Sequence, residues 1–482
     1  MLPRMLSLLF CCSLLTQAAN IFVMSSGRST SDAELRRALE SFGHSVTLGV
    51  PFDRFDGTQN LAGVDVVYLQ VNYNWIGSGF LVAIMPFAGQ AALVNFVNRG
   101  GGLVTTEWLL WLTADWGHFF SGLDSILPVY PSLDWDTQST AVTFTRNVAD
   151  EDLNAGLPAS FGVPLDNIDG TRTLISLGAT RAGASAFYTM DGGFIALAGW
   201  NAGGGRVLSF ATLNGEAQLR DAGFRRLLGN AINWAVRPSV SAGGVVNAAS
   251  FARGQPVVPG SLVSIFGSGL ASSLAAAESI PLPNSLGGVG VTFNGIAAPV
   301  QFVSPRQINA QLPWEVLSGG ATSGTASAVI RRGSAISEAI PVQVSPASPG
   351  IFSVEFGSGQ AIAFQEDGSL AASAGALPGI RTEPARIGGT ISILATGLGA
   401  VDPPGRDSQS SLDTQRRTLT TPTVLIGGVE AQVRFSGLAP EFPGVYQINV
   451  VIPAATPGDR VPIQIRLGDF TSTDRITIAL RN

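Results

Sequence analysis

The sequence predicts a multidomain protein, with an α/β domain over residues 20–237 followed by two all-β sandwich modules over 238–345 and 386–482. Three observations support this division. Strand-type runs alternate with amphipathic helical patterns as far as Val236. After Pro238 the helical periodicity stops, and short β-type runs separated by Gly, Pro and Ser follow. Blocks of this second part then recur in the same order, which predicts a duplicated module.

The N-terminus reads as a targeting segment. Residues 1–4 supply one positive charge, and residues 5–15 form an apolar run too short to span a bilayer as a helix. Small residues follow, which allow cleavage after Ala18 or Ala19. We therefore expect residues 1–19 to be a Sec-type signal peptide and the protein to be secreted, either periplasmic or extracellular.

Composition excludes several chemistries. The chain has 482 residues, and all 28 of its basic residues are Arg. The two cysteines, Cys11 and Cys12, lie within the predicted signal, so we expect no lysine Schiff base, no disulfide and no Cys/His zinc site. Lipidation at Cys11 is the alternative, which the bulky Phe10 before it disfavours. A net charge of −6 without basic runs argues against nucleic acid and anionic membranes. We expect no cofactor, no metal and no integral membrane segment after signal cleavage.

Local patterns place the elements of the α/β domain. Ser31 or Asp32 is the expected cap of the first helix, and the glycines at 100–102 end the second. Strands that alternate with helices predict a mostly parallel sheet covered on both faces, with ligands at the carboxyl ends near the switch point. The predicted strands are Ile21–Met24, Ser45–Val50, Val64–Val71, Leu103–Thr106 and Arg206–Ala211, and the predicted helices are Ala33–Phe42, Gly89–Asn98 and Asp221–Val236.

Four segments of this domain carry a resemblance. They are GGGLVTTEW at 100–108, NAGLPASF at 154–161, GRVLSFATLNGE at 205–216 and FRRLLGNAINWA at 224–235. Together they resemble the ThuA-like branch of the class I glutamine amidotransferase-like fold, a flavodoxin-like α/β architecture. The resemblance implies that working members of the superfamily carry a cysteine nucleophile on the turn after a central strand and a His-x-Glu pair on a later loop.

This chain departs from that pattern at both places. The turn reads Thr106-Glu107-Trp108, and the later loop reads Asn214-Gly215-Glu216. An amide cannot act as the general base that activates a nucleophile, and no G-x-S-x-G elbow supplies a serine. We therefore expect a degenerate, non-catalytic domain, which makes the protein a pseudoenzyme of binding or surface-interaction type.

An alternative function uses the remaining polar residues. Glu107, Asp115, His118 and Glu216 are the candidate catalytic residues, because carboxylates and an imidazole at strand ends could move a proton or hold a metal. The protein would then be a secreted carbohydrate-active or metal-assisted hydrolase. The competing interpretation is that Glu107 bonds backbone amides and that His118 lies on an aromatic surface loop.

Aromatic residues suggest a binding platform. Trp75, Trp108, Trp111, Trp116 and Tyr73 follow the third and fourth predicted strands, where flat rings could stack on sugars or hold a partner chain. The predicted partner is thus a glycan or a cell-surface or extracellular protein. The structural alternative is that these rings cover the sheet edge or dock against the later modules.

Three other polar features have structural interpretations. His44 follows a helix end, where an imidazole favours the helix dipole. The acidic run at 150–152 is predicted to be a solvated turn. Residues 166–170 only faintly match a calcium loop, because the full ligand spacing is missing.

The β region repeats itself in three ordered blocks, and Asn294-Gly295 and Gly427-Gly428 read as hairpin turns. In both Gln-Ile-Asn motifs we expect the amides to satisfy backbone groups of loops. The matched blocks are 260–270 with 388–398, 291–302 with 424–435, and Gln307-Ile308-Asn309 with Gln447-Ile448-Asn449.

A second resemblance covers about 245–482. NAASF at 247–251, SPGIF at 348–352, ATGLGAV at 395–401 and GVYQINVVIP at 444–453 resemble the Solibacter-type C-terminal domain of secreted bacterial proteins. Each half also resembles an IPT/TIG-type immunoglobulin-like module and has the size of such a sandwich. We expect residues 346–385 to be a connecting hairpin segment with its turn at 366–368.

Overall fold

The computed structural model describes residues 19–482 apart from 28, 72–74, 77–80, 83, 107–108, 110–112, 114–118, 131–134, 138–140, 167–172 and 176–178. The chain divides into two compact units. The α/β unit comprises Thr16–Pro238 with Gly333–Ala335, and the β unit comprises Ser239–Arg332 with Ile336–Asn482. Within the described ranges, no helix is both long enough and apolar enough to cross a membrane.

Thirteen described strands belong to the α/β unit. They are β1 (Asn20–Ser25), β2 (Ser45–Pro51), β3 (Val66–Leu69), β4 (Trp75–Ile76), β5 (Leu81–Val82), β6 (Gly102–Thr105), β7 (Trp135–Thr137), β8 (Ala141–Arg146), β9 (Ser160–Pro164), β10 (Thr173–Ile175), β11 (Ser185–Thr189), β12 (Ile195–Ala202) and β13 (Gly205–Phe210). Nine of them form one sheet in the order β2-β1-β3-β6-β13-β12-β11-β8-β9. The other four form two short pairs, β4 with β5 and β7 with β10.

The large sheet has a parallel part and an antiparallel part. The first five strands in its order pair in parallel, as the alternation of strands and helices predicts. The other four, β12, β11, β8 and β9, pair antiparallel. The prediction of a mostly parallel sheet is wrong for this second part. The described residues that connect its strands form no crossover α-helix, and β8 alternates exposed with buried residues, the pattern of an antiparallel strand with one face on the core.

Four described α-helices belong to this unit, and their predicted ends differ from the observed ones by a few residues. Asp221 caps the last helix, because its carboxylate accepts a hydrogen bond from the Phe224 N–H at 2.8 Å. The helices are α1 (Ser29–Glu40), α2 (Phe87–Asn98), α3 (Glu216–Arg220) and α4 (Ala222–Ala235), and the short 3-10 helices are Phe52–Arg54, Ser121–Ile126 and Asp191–Gly193.

The glycine run between α2 and β6 has a packing reason. Gly100 has a φ of +104°, a conformation that favours glycine, and it follows the end of α2. A Cβ atom on Gly102 would lie 2.6 Å from the Ala235 carbonyl oxygen. The run therefore ends the helix and lets β6 pass close to the end of α4.

The β unit is built almost entirely of strands, with one 3-10 helix at Ser318–Gly320. Its strands are β14 (Ser239–Asn247), β15 (Leu262–Ser268), β16 (Ala275–Ala276), β17 (Val289–Phe293), β18 (Ile296–Ala298), β19 (Val300–Val303), β20 (Gln307–Gln311), β21 (Gly324–Arg332), β22 (Ala335–Ile336), β23 (Ile340–Val344), β24 (Gly350–Ile351), β25 (Gly359–Gln360), β26 (Ala363–Gln365), β27 (Leu370–Ala371), β28 (Thr382–Glu383), β29 (Ala385–Arg386), β30 (Thr390–Thr396), β31 (Val401–Asp402), β32 (Arg417–Thr418), β33 (Thr423–Ile426), β34 (Val429–Leu438), β35 (Tyr446–Val451), β36 (Gly458–Leu467), β37 (Phe470–Thr471) and β38 (Ile476–Arg481).

The first half of the β unit contains two sheets around one core. One sheet has the order β14-β15-β20-β19-β16, and the other contains β18, β17, β21, β22 and β23. Val263 and Ile265 from the first sheet share a buried cluster with Phe293 and Ile330 from the second. The second half is a connected network of fifteen strands with its own buried cluster. Mostly β architecture is therefore observed, and the immunoglobulin-like assignment stays a prediction.

The repeated blocks occupy equivalent strands with equivalent registers. In the first half, Ser264 of β15 lies opposite Asn309 of β20. In the second half, Ser392 of β30 lies opposite Asn449 of β35. Both pairs belong to blocks that match in sequence, so the duplication extends to strand pairing.

The Gln-Ile-Asn motifs form the same bond in both halves. The Gln307 Nε2 atom donates to the Asn309 Oδ1 atom at 2.8 Å, and Gln447 donates to Asn449 at the same distance. We expected backbone groups of loops as partners; the bond common to both halves instead joins the two amides of each motif along one face of the strand. The motif is structural.

The two halves share a fourth repeated block, which lies outside the three blocks matched in the sequence. Ile330 donates its N–H to the Ser337 hydroxyl at 2.9 Å, and Ile465 donates to Ser472 at the same distance. The segments read IRRGSAIS and IRLGDFTS. Both form hairpins with Gly at the same place, so the duplication reaches further along the chain.

The predicted hairpin turn at 366–368 is present. Phe364 of β26 pairs with Leu370 of β27, and the Gly368 N–H donates to the Gln365 carbonyl at 2.9 Å. β26 also pairs with β30. This part of the 346–385 segment thus adds strands to the sheet of the second half.

Candidate functional site

The parallel strands of the α/β unit end together at one edge of the sheet. The order β2-β1-β3-β6-β13 reverses between β1 and β3, and sheets of this kind bind ligands at the carboxyl ends beside such a switch point. At the ends of β1, β3, β6 and β13, the described residues are 25–27, 70–71, 106 and 211–215. None of them carries a charge. We call this set the carboxyl edge.

Asp32 orders the turn that leaves β1. Its carboxylate accepts hydrogen bonds from the Ser26 N–H at 2.8 Å and from the Ser25 hydroxyl. The prediction that Ser31 or Asp32 caps the helix is wrong, because α1 begins at Ser29 and both residues lie in its first turn. The side chain holds the β1–α1 turn instead.

The next strand end contains a buried amide without a partner. Gln70 follows β3 and has no solvent exposure. Neither its Nε2 nor its Oε1 atom has a hydrogen-bond partner among the described residues. The neighbouring Val71 N–H donates to the Thr106 hydroxyl oxygen at 3.0 Å, which links the ends of β3 and β6.

Asn214 lies after β13, at the position where the resemblance implies the histidine of the superfamily. It has a φ of +56° and is fully buried. Its Nδ2 atom donates to the Tyr68 hydroxyl at 2.6 Å, and its Oδ1 atom accepts from the Thr212 hydroxyl at 2.8 Å. Burial raises the pKa of Tyr68 far above its usual range, so the phenol stays protonated. These groups form a neutral network and supply no base.

The start of α3 is organised by another carboxylate. The Asp166 side chain accepts the Ala217 N–H at 2.7 Å. Burial raises the pKa of Asp166, while the bonds from Ala217 and Gln218 lower it. Asp166 therefore holds the start of α3 through its backbone N–H groups, and the rest of the weak calcium match at 167–170 lies outside the described residues.

Glu216 is the one predicted catalytic residue whose side chain is described. It is the first residue of α3, and its carboxylate lies 3.0 Å from the Arg220 guanidinium, four residues later. Both side chains are partly exposed, so this is an ordinary surface ion pair along a helix.

The remaining predicted site residues cannot be placed. Trp75 begins the two-residue strand β4 in the connection after β3, and only its strand is described. The others lie outside the described residues: Tyr73, Glu107, Trp108, Trp111, Asp115, Trp116 and His118. Within the described part of the chain, no three His, Cys, Asp or Glu side chains group as metal ligands would.

His44 differs from its predicted role, and the acidic run forms the predicted turn with one of its carboxylates bonded to the chain. His44 is buried, and desolvation lowers its pKa to about 4, so it is neutral near pH 7 and supplies no charge to a helix dipole. Asp150 is engaged rather than simply solvated. Its carboxylate accepts the N–H groups of Asp152 and Leu153 and the Trp234 indole N–H at 3.1 Å.

Sequence reasoning identified Asn214 as an amide in the place of a base but missed Gln70 and Tyr68. Alternation along β3 places Tyr68 and Gln70 on one face, which was a usable signal. The missing partner of Gln70 had no signal, because it depends on what the other strand ends do.

Comparisons with known proteins concern mainly the first part of the chain. No family model matches, and no curated protein matches. A cytoplasmic protein from Salmonella typhimurium LT2 is 15% identical, with 45% of this chain and 99% of that chain covered and a TM-score of 0.35. A ThuA-like protein from Bacteroides uniformis is 13% identical, with 46% and 93% covered and a TM-score of 0.33.

A third solved structure, a β-galactosidase from Bacillus circulans sp. alkalophilus, is 12% identical, with 62% of this chain and 42% of that chain covered and a TM-score of 0.29. Scores of this size do not carry an argument about activity. The solved structures that are similar to the N-terminal 45% or so of the chain include ThuA-like proteins.

Proposed function

We propose that this protein is an exported, non-catalytic binding protein whose α/β unit takes a carbohydrate at the carboxyl edge. In this proposal the unit is a degenerate amidotransferase-like domain. The β unit consists of tandem immunoglobulin-like modules of IPT/TIG and Solibacter type, which contact a cell surface or extracellular partner.

The observation that carries the non-catalytic part is the network around Asn214. Both ends of its amide are occupied, by Tyr68 and Thr212, and an amide has no basic lone pair to activate a nucleophile. Burial also keeps Tyr68 protonated. The position from which the resemblance expects a base therefore holds a neutral structural group.

Carbohydrate is the favoured ligand for two reasons. The residues of the carboxyl edge are uncharged and have amide and hydroxyl groups, which suit a neutral polyhydroxylated ligand, and the neighbouring Asp32 and Asp166 carboxylates already accept hydrogen bonds from the chain. The connections that leave β3 and β6 contain Tyr73, Trp75, Trp108 and further tryptophans, and sugar rings stack on aromatic faces.

The hydrolase alternative has less support. Glu216 is paired with Arg220 on the surface of α3. The alternative therefore depends on Glu107, Asp115 and His118, and a turnover assay addresses it directly.

The test is a glycan array probed with the secreted full-length chain, together with N-terminal sequencing of the mature protein. We expect a mature N-terminus at Ala19 or Asn20 and binding to at least one glycan. Trp108→Ala should abolish that binding, and Trp314→Phe in the β unit should leave it unchanged. Absence of glycan binding would overturn the proposal, as would hydrolysis of the bound glycan that Glu107→Gln abolishes.

A further inference from the structure

Gln70 occupies the switch point of the sheet. The register of β1 with β3 places Ser25 level with Gln70, and the register of β3 with β6 places Thr106 level with it on the other side. Parallel strands in register direct such residues to the same face. Gln70 thus stands at the end of β3, one of the two strand ends that flank the switch point where sheets of this kind hold ligands.

The neighbours at this level are already engaged. The Ser25 hydroxyl donates to Asp32 and accepts the Gly27 N–H at 3.0 Å. The Thr106 hydroxyl oxygen accepts the Val71 N–H. No described residue bonds to either atom of the Gln70 amide, although the side chain has no solvent exposure.

A second buried glutamine of the same unit shows the contrast. Gln90 also has no exposure, but its Nε2 atom donates to the Met85 and Phe119 carbonyls, each at 2.9 Å. Its Oε1 atom accepts the Gly122 N–H at 2.8 Å. Gln90 therefore behaves as a structural amide. Buried polar atoms without partners are rare in native proteins, and leaving them so is unfavourable.

We propose that Gln70 is the hydrogen-bonding centre of a ligand subsite between β1 and β3, which takes a neutral group presenting a donor and an acceptor side by side. A primary amide offers exactly one acceptor oxygen and two donor hydrogens in one plane. Vicinal hydroxyls of a sugar match this arrangement. As a carbohydrate subsite, this inference rests on the proposed function.

The test compares Gln70→Met with Gln90→Met in the full-length chain. Methionine keeps the length of the side chain and removes the amide. Gln70→Met should raise the Tm of the α/β unit by about 2–4 °C, because an unpaired buried amide is lost. Gln90→Met should lower the Tm by at least as much, because three backbone groups lose their partner. Seven of the eight tryptophans lie before residue 238, so their fluorescence reports on this unit.

The binding part uses two panels of probes, neutral mono- and disaccharides and small primary carboxamides, measured by titration calorimetry. We expect a saccharide to bind the wild type and to lose at least tenfold in affinity in Gln70→Met but not in a folded control such as Trp314→Phe. Saccharide binding that Gln70→Met leaves unchanged overturns this inference and leaves the proposed function standing.

Two other outcomes separate the ideas further. Binding of a carboxamide alone, lost in Gln70→Met, overturns carbohydrate as the ligand and supports the subsite. A lower Tm in Gln70→Met overturns the subsite, because it would show that the amide contributes to the folded core as Gln90 does.

Discussion

The amides of the Gln-Ile-Asn motifs in the β unit and the Gln70 amide at the carboxyl edge of the α/β unit differ in their hydrogen bonds. In the β unit, each Gln-Ile-Asn motif bonds its two amides to each other, and the Asn309 oxygen also accepts the Ser264 hydroxyl at 2.9 Å. At the carboxyl edge of the α/β unit, the Gln70 amide has no described partner, while the Asn214 amide is bonded through both its nitrogen and its oxygen. A buried amide thus serves either to fix a fold or to remain available to a ligand, and its hydrogen bonds distinguish the two.

The same difference in hydrogen bonding distinguishes Asn214 from Gln70 within the carboxyl edge. Asn214 stands where the resemblance implies a catalytic group, yet its bonds are those of a structural residue. Gln70 has no counterpart in the resemblance, yet it is the group left without a partner. If the distinction holds, paired amides stabilise the fold to the extent that their bonds indicate.

The largest effect is expected at Asn214. Replacing it with Ala removes the hydrogen bonds that the buried hydroxyls of Tyr68 and Thr212 make with Asn214. Alanine also adopts the φ of +56° at this position less readily than asparagine does. We expect a loss of about 3–5 kcal/mol in the unfolding free energy of the α/β unit. Denaturant titration followed by tryptophan fluorescence measures it.

Asn214→Gly is the matched control. Glycine removes the same bonds but accepts the positive φ, so it should be less destabilising by about 1 kcal/mol. A loss below about 1 kcal/mol for Asn214→Ala would show that the network is not structural, and the contrast with Gln70 would fail.

The next largest effect is expected at His44, which belongs to no proposed site. His44 is buried, and neither ring nitrogen has a described partner. Its pKa is lowered from 6.5 to about 4 by desolvation. Between pH 6.5 and pH 4 the unfolded state therefore binds more protons than the folded state does. The contribution of neutral His44 to the free energy of unfolding is complete above pH 6.5 and is lost as the pH falls through 4.

The expected loss is about 3 kcal/mol between pH 7 and pH 4, at about 1.36 kcal/mol for each pH unit of the shift. His44→Leu should remove this part of the pH dependence, and His118→Gln, which changes the other histidine, should retain it. Denaturant titrations of the α/β unit at several pH values measure the slope. An unchanged slope in His44→Leu would show that His44 is hydrated in the folded state.

Local patterns predict much of the fold but little of the site. The five parallel strands were predictable because each is a short apolar run bounded by turn residues, as at 100–106. β8, β9, β11 and β12 were missed, since their antiparallel pairing depends on contacts between distant segments rather than on local periodicity. Gln70 was missed for the same reason, because having no partner is a property of the assembled strand ends.

The duplication was predictable in order and only partly in extent. Identical Gln-Ile-Asn letters indicated equivalent strands, and the registers of β15 with β20 and of β30 with β35 agree with that. The hairpins at Ile330 and Ile465 share only Ile, Arg, Gly and Ser at matching places. In each hairpin a serine hydroxyl accepts the backbone N–H of the isoleucine, and this shared hydrogen bond shows that the two hairpins are equivalent.

The smallest effect on the free energy of unfolding is expected at two equivalent asparagines of the duplicated modules. Asn309 is 1% exposed and accepts two hydrogen bonds, whereas Asn449 lies at the equivalent register, is only half-buried and accepts the bond from Gln447. Replacing Asn309 with Leu should lower the unfolding free energy of the β unit by about 2 kcal/mol, because buried donors lose their acceptor. Asn449→Leu should lower it by less than about 1 kcal/mol, because water can replace the lost acceptor.

Calorimetric unfolding of both variants measures the difference, with Gln447→Leu as a control that removes the donor of the half-buried pair. Equal losses at the two positions would mean that the bond between the amides, and not its burial, determines the contribution. An unpaired Gln70 amide would then destabilise the α/β unit less than expected, since that expectation assumes that a buried amide is unfavourable in proportion to the water it has lost. A larger loss at Asn309 supports that assumption with two residues that share one motif and one register.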